Sequence, residues 1–225
     1  MKRSLVNEIL QEGDAFIRSH GYVLPPFAYW SVDEMRVRDT KELQRRGMGW
    51  DITDYGQGDF DALGLFLFTT RNGLSDDLHA GRGMVYAEKI MISRDRQVSP
   101  MHRHVIKSED IINRGGGTLI LELFACDAEG KIDRGADVRV LVDGQWKTVE
   151  AGGLLKLEPG ESVTLHPDTW HAFWGEGGDV LIGEVSTVND DRTDNVFEAP
   201  IGRFASIEED EVPLHLLVSD YAAYL

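Results

Sequence analysis

Two textures divide the chain. Over the first 47 residues apolar positions recur at helical spacing. Leu5, Ile9, Leu10, Phe16 and Ile17 make one stripe, which stops near Gly21. Pro25-Pro26 forces an extended link. Ser31-Val32-Asp33-Glu34 then reads as the opening of a second, charged helix that runs to about Arg46 and ends at Gly47. From residue 50 onward short apolar runs bounded by turn residues take over. Residues 63–70 read as a strand before an Asn72-Gly73 turn, and residues 84–93 as another, with Lys89 among apolar neighbours. A segment with two histidines follows. Strands are then expected at 118–125, 137–142, 145–149, 154–157, 162–165, 172–174 and 179–185, with a hairpin turn at Asp143-Gly144. Short strands at regular spacing predict an all-β core, a sandwich or barrel, behind an N-terminal α-helical extension. Residues 208–225 are acidic, then apolar and aromatic, and read as a tail packed on the core or on a second subunit. No Pro, Ser or Gly tract interrupts the chain. A single domain over 1–225 is expected, with a helical lead-in at 1–47, a barrel at 50–205 and a tail at 206–225.

Composition narrows the partners. With 39 acidic against 23 basic residues the formal net charge is −16, which argues against nucleic acid or an anionic membrane as partner. The one cysteine, Cys126, cannot form an intrachain disulfide and sits in an apolar run, so core packing is expected of it. That cysteine usage fits a cytoplasmic location. The N-terminus lacks the apolar core of a signal peptide, and no apolar run approaches a membrane span.

The chemistry concentrates in Met101-His102-Arg103-His104-Val105-Ile106-Lys107-Ser108-Glu109. On an extended strand His102 and His104 share a face, with Arg103 opposite. Glu109 follows one short turn later, and His171 comes 62 residues after it. Three imidazoles and a carboxylate make a mixed nitrogen and oxygen donor set, suited to manganese, iron, nickel or zinc rather than calcium or magnesium. His20, His79 and His215 stand alone, and His166 is expected to be peripheral.

The spacing His102-x-His104-x4-Glu109-x6-Gly116, followed by Pro159-Gly160-Glu161 and His171, resembles the two motifs of the cupin superfamily, a small antiparallel β-barrel or jelly roll. That resemblance implies His102, His104, Glu109 and His171 as metal ligands, with the first motif a hairpin turning at Gly115-Gly116-Gly117. Further runs are similar to bacterial D-lyxose isomerases: Lys107-Ser108-Glu109-Asp110-Ile111-Ile112-Asn113-Arg114-Gly115-Gly116-Gly117, Met48-Gly49-Trp50-Asp51-Ile52-Thr53-Asp54-Tyr55-Gly56, Tyr86-Ala87-Glu88-Lys89 and Gly183-Glu184-Val185-Ser186-Thr187-Val188-Asn189-Asp190-Asp191. The resemblance spans nearly the whole chain. It implies a Mn²⁺-dependent aldose–ketose isomerase and a homodimer, converting D-lyxose to D-xylulose and, as a side activity, D-mannose to D-fructose. Fe²⁺, Co²⁺, Ni²⁺ and Zn²⁺ are the alternative ions.

Such a reaction moves a proton between C2 and C1 of an open-chain sugar and needs a base and an acid beside the metal. Lys107 and Glu184 are the candidates. Lys107 would have its pKa lowered by a neighbouring dication, and Glu184 lies in an apolar run, where a carboxylate is costly unless it faces a polar cavity. Lys89 is placed to bind a sugar hydroxyl or to pair with Glu184. Trp170, beside His171, is the best of three tryptophans for stacking on a sugar, ahead of Trp50 and Trp174. Asp191, Arg192 and Asp194 form a polar loop that would cover the substrate. No Gly-Lys-Ser/Thr follows Gly115-Gly116-Gly117, so no phosphate loop is present and an unphosphorylated sugar is expected, although Arg114 or Arg203 could bind a phosphate. Two alternatives share the barrel: an Fe²⁺ cupin dioxygenase and a non-enzymatic sugar-binding cupin.

Overall fold

A computed structural model describes residues 1–225. The first apolar stripe forms helix α1 (Arg3–Ser19), whose Val6, Ile9, Leu10 and Ile17 are buried. The expected second helix is instead broken into a 3-10 turn (Pro26–Tyr29), α2 (Val32–Val37) and α3 (Lys41–Arg45). Ser31 and Glu34 cap α2 reciprocally, but Arg38 is already extended. The cause is thin burial. Met35 is the one buried residue of α2 and α3 has none, so no apolar stripe holds a longer helix together.

Strands then follow as β1 (Gly49–Thr53), β2 (Leu65–Asn72), β3 (Tyr86–Ser93), β4 (Ser99–His104), β5 (Glu109–Cys126), β6 (Ile132–Asp133), β7 (Val138–Val142), β8 (Gln145–Val149), β9 (Gly153–Leu157), β10 (Ser162–Leu165), β11 (Trp170–Thr187) and β12 (Asn195–Phe197). A short helix α4 (Ser75–His79) lies between β2 and β3, and α5 (Tyr221–Tyr224) ends the chain. Every named pair is antiparallel.

The two 18-residue strands β5 and β11 pair with each other and join two layers. One runs β1-β2-β3-β11-β5-β10-β7-β8. The other is built by β12 and β4 on the first half of β11 and by β9 on the second half of β5. This is the antiparallel double layer of a cupin. The glycine triplet is not a hairpin turn: Gly115, Gly116 and Gly117 lie inside β5, and the segments expected at 172–174 and 179–185 are one strand. The pairing slips register between Glu176 and Val180. Gly116 sits there with φ 96°, and a Cβ on it would collide with the Asp179 carbonyl oxygen. Glycine thus serves a bulge within a continuous strand.

Strand alternation sorts the core into two clusters. Leu65 and Leu67 of β2 face inward with Met91, Ile111, Leu121, Phe173 and Ile182. Phe66 and Phe68 face outward and pack with Trp50, Ile90, Ile92 and the stripe of α1. Both faces of β2 are covered, which explains its unbroken apolar run. Burying each such side chain contributes about 1.5–3 kcal/mol. Gly13 lets α1 approach: a Cβ there would strike the Phe66 ring. The C-terminal tail packs on this same outer layer. Leu217 joins the cluster, Val218 N–H donates to the Trp50 carbonyl at 2.8 Å, and fully buried Arg3 ion-pairs with Glu209 and Asp220 at 2.7 and 2.8 Å.

Candidate metal centre and sugar cleft

The inner face of the barrel carries the charged residues. His102 and His104 close β4, His171 stands opposite His102 at the start of β11, and Glu109 is the first residue of β5. The ligating nitrogens of the three histidines lie within 4.8 Å of one another. Glu109 Oε1 is 3.4 Å from His104 Nε2 and 3.2 Å from His171 Nε2, while Glu109 Oε2 is held by Lys107 Nζ at 2.7 Å.

Hydrogen bonding fixes the tautomers of two of the three histidines. His102 Nδ1 is 2.8 Å from the Pro100 carbonyl and His171 Nδ1 is 3.0 Å from the Thr169 carbonyl. A carbonyl only accepts, so each Nδ1 carries the proton and each Nε2 turns a lone pair inward. Burial, then the neighbouring imidazoles of His171 and His104, push His102 well below the usual histidine range. Burial, then the Lys107 ammonium, lowers His104. For Glu109 burial works upward, but Lys107 and His104 outweigh it and hold the carboxyl well below its ordinary value. Neutral rings at His102 and His104 and an ionised carboxylate at Glu109 are the ligand forms a metal requires.

The residues fit such an ion. Glu109 Oε1 is buried and has no hydrogen-bond partner, although it faces two imidazole nitrogens. Acceptors gathered in the interior repel one another unless a cation lies among them. Three nitrogens and one oxygen leave two positions open on an octahedral ion.

Next to this centre is a line of buried charge. Glu184 on β11 is the register partner of Lys89 on β3. Its Oε1 lies 3.1 Å from Lys107 Nζ and 3.2 Å from Lys89 Nζ, and Lys89 also donates to Asn189 Oδ1 at 2.6 Å. Burial raises Glu184, but Lys107 and Lys89 prevail and lower it. Lys107 is set by its carboxylate neighbours. Burial acts to lower it, yet Glu109 and Glu184 raise it above the ordinary lysine range. The nearest charges to this ammonium are the carboxylates of Glu109 and Glu184.

The cleft above these groups encloses roughly 440 Å³, open mouth included, and Tyr55, Ser99, Phe173, Asn195 and Phe197 also line it. That is the scale of a small-molecule site. Arg203 also lines the cleft. Its Nη2 is 2.8 Å from Asp51 and 3.4 Å from Asp191, and its Nη1 is buried without a partner.

Of the expected site residues, the structure brings His102, His104, Lys107, Glu109, His171, Lys89, Glu184 and Asp191 to one cleft. Trp170 is not there. As the chain neighbour of His171 it points to the opposite face, beneath the Arg103 guanidinium at 5.6 Å. Trp50 belongs to the outer cluster. Arg192 is exposed on its loop and does not line the cleft. Asp194 is buried, but its carboxylate turns to backbone N–H groups of residues 105–107. The sequence did not point to Tyr55, Asn195 and Phe197 as cleft residues, nor to the cleft-lining position of Arg203. For Asp51 a signal existed: beside outward Trp50, alternation turns it inward.

The fold and the buried histidine cluster together define a cupin with a metal-ready centre. The family assignment follows from the whole sequence. A family model described as D-lyxose isomerase matches residues 1–221, and the chain belongs to that family. It is 47% identical over 230 residues to the D-lyxose/D-mannose isomerase of Serratia proteamaculans and 45% identical over 233 residues to that of Escherichia coli O157:H7, each match covering all of both chains. Among solved structures, the L-ribose isomerase of Cellulomonas parahominis superposes with a TM-score of 0.63 at 16% identity, covering 92% of this chain and 98% of the other. That of Geodermatophilus obscurus gives 0.61 at 18%, with the same coverage. These likenesses support the fold. The protein is therefore a sugar isomerase, and the dioxygenase and non-enzymatic readings fall away. No helix is long and apolar enough to cross a membrane.

Proposed function

We propose that the protein is a divalent-metal-dependent aldose–ketose isomerase that converts D-lyxose to D-xylulose and D-mannose to D-fructose, with Mn²⁺ as its ion. The observation that carries the metal dependence is the convergence of three imidazoles on the unpartnered Oε1 of Glu109. The named activity of the full-length relatives supports the sugars. His102, His104, Glu109 and His171 would hold the ion. A bound divalent ion supplies Lewis acidity at the sugar carbonyl and offsets the negative charge that grows as the C2–H bond breaks.

The chain's own residues do the rest. Glu184 is an ionised carboxylate in the cleft and takes the C2 proton, returning it at C1, while the proton of the C2 hydroxyl passes to the C1 oxygen, so that C1 becomes the alcohol and C2 the carbonyl. Lys107, protonated between Glu109 and Glu184, keeps both carboxylates in place and donates to the sugar oxygen that gains charge. Lys89 and Asn189 hold Glu184 from the other side. Arg203 Nη1 offers a hydrogen bond to a hydroxyl at the far end of the sugar. Its partners Asp51 and Asp191 fix the guanidinium in one orientation.

The test is metal removal and return. Chelator-treated protein should lose ketose formation from D-lyxose and D-mannose, and recover it with Mn²⁺ above other single divalent ions. Full activity in metal-free protein, or no ketose with any ion, overturns the reading.

A further inference from the structure

We infer that Asp194 is a positioning residue for the metal centre, which it orients through His104; the inference rests on the metal reading above. Two observations carry it. The three histidines are not supported alike. Nδ1 of His102 and of His171 each donates to a backbone carbonyl, whereas Nδ1 of His104 is buried with no hydrogen-bond partner. The polar atom that faces it is Asp194 Oδ2, at 3.9 Å.

The second observation is how firmly that carboxylate is placed. Asp194 Oδ1 accepts N–H of Val105 at 3.0 Å and of Ile106 at 2.7 Å, and Oδ2 accepts N–H of Lys107 at 3.0 Å. Three consecutive amides of the β4–β5 connection thus close on one buried carboxylate. This connection is the only covalent link between His104 and Glu109, and it carries Lys107. Asp194 therefore touches the backbone of a loop whose ends are two ligands, and its second oxygen faces the third atom of the set that lacks support.

The chemistry is that of a carboxylate behind a ligating histidine. An Nδ1–H that donates to a carboxylate fixes the ring orientation and makes Nε2 a better ligand. Closing the 3.9 Å gap takes a ring movement of about 1 Å to reach ordinary hydrogen-bond length. Ligation at Nε2 would draw His104 into that position. Asp194 does not line the cleft.

The experiment is Mn²⁺ titration by calorimetry of the chelator-treated full chain, wild type against Asp194→Asn, with thermal melts of each with and without Mn²⁺. An asparagine keeps the size and an acceptor at Oδ1. It places an amide NH₂ where Oδ2 faces Lys107 N–H and His104 Nδ1. The expected result is about 10–100-fold weaker Mn²⁺ binding and a smaller Mn²⁺-induced rise in melting temperature. A role confined to anchoring the loop would lower both melts equally, and an unchanged Mn²⁺ affinity with an unchanged increment overturns the inference. Should Asp194→Asn fail to fold, Asp194→Ser is titrated instead with the same two outcomes. If the wild type binds no divalent ion, the metal reading itself fails and takes this inference with it.

Discussion

The molecule buries charge in two places, and the two are built differently. On the outer layer, Arg3 is fully buried and every terminal nitrogen of its guanidinium is matched, by both oxygens of Asp220 and both of Glu209. Asp220 also accepts Leu217 N–H at 2.9 Å. This clasp ties the first helix to the C-terminal tail and leaves nothing unpaired. Inside the barrel, a longer chain of charges runs from Lys89 through Glu184 and Lys107 to Glu109. Around it Glu109 Oε1, His104 Nδ1 and Arg203 Nη1 have no partner. A buried polar group without a partner costs about 1–3 kcal/mol. A stability role explains the first network. The second makes sense where a ligand completes it.

The largest expected effect breaks the inner network at Glu184. Glu184→Gln keeps the shape of the side chain and removes the carboxylate proposed as the base. Turnover should fall about 10²–10⁴-fold. Mn²⁺ affinity should remain within a few-fold of wild type, because Glu184 is not among the candidate ligands. Steady-state kinetics beside calorimetry separate the two quantities, and wild-type turnover would exclude Glu184 as the base.

Arg3→Met tests the outer clasp. Truncating one side strands two carboxylates, one of them nearly inaccessible to water, and should destabilise the fold by about 3–5 kcal/mol. Turnover per folded molecule at low temperature should stay at the wild-type value. Urea melts paired with specific activity read this out. A large fall in kcat with unchanged stability would dissolve the contrast between the two networks.

How much of this was legible in the sequence depended on whether a residue sat on a strand. His102, His104 and Glu109 fall on one side by alternation and a short connection, so they could be grouped without coordinates. Lys89 and Glu184 were suspicious for being charged within apolar runs, and the β3–β11 register places them opposite one another. Arg203 could not be placed that way. The stretch after β12 has no regular strand to give a direction, and its path is set by tertiary contacts such as Thr53 Oγ1 donating to the Arg203 carbonyl. The Gly115-Gly116-Gly117 run misled for a related reason. Glycines permit a turn and a bulge alike, and only the partner strand decides between them.

Arg203→Lys sharpens the idea that unpartnered atoms face the sugar. Lysine keeps the charge near Asp51 and Asp191 but cannot hold both and still present a fixed second donor. The expected loss is about 10-fold in kcat/KM, or about 1.4 kcal/mol, carried mainly by KM. A change confined to kcat would assign Arg203 to the chemistry rather than to binding.

The smallest expected effect belongs to Trp170. Adjacency to His171 invited a stacking role, yet adjacency on a strand is the reason the two side chains part company. Trp170 Nε1 is buried without a hydrogen-bond partner, so Trp170→Phe sacrifices no such bond. It removes part of the surface under Arg103 and should lower stability by about 1–2 kcal/mol, less than a full truncation of a buried aromatic. On D-lyxose, kcat/KM should stay within about two-fold of wild type, that is within about 0.4 kcal/mol. A ten-fold rise in KM with an unchanged melting temperature would return Trp170 to the sugar and refute the face assignment. An intact KM with a lowered melting temperature places it with the Arg3 clasp, among residues that hold the barrel together.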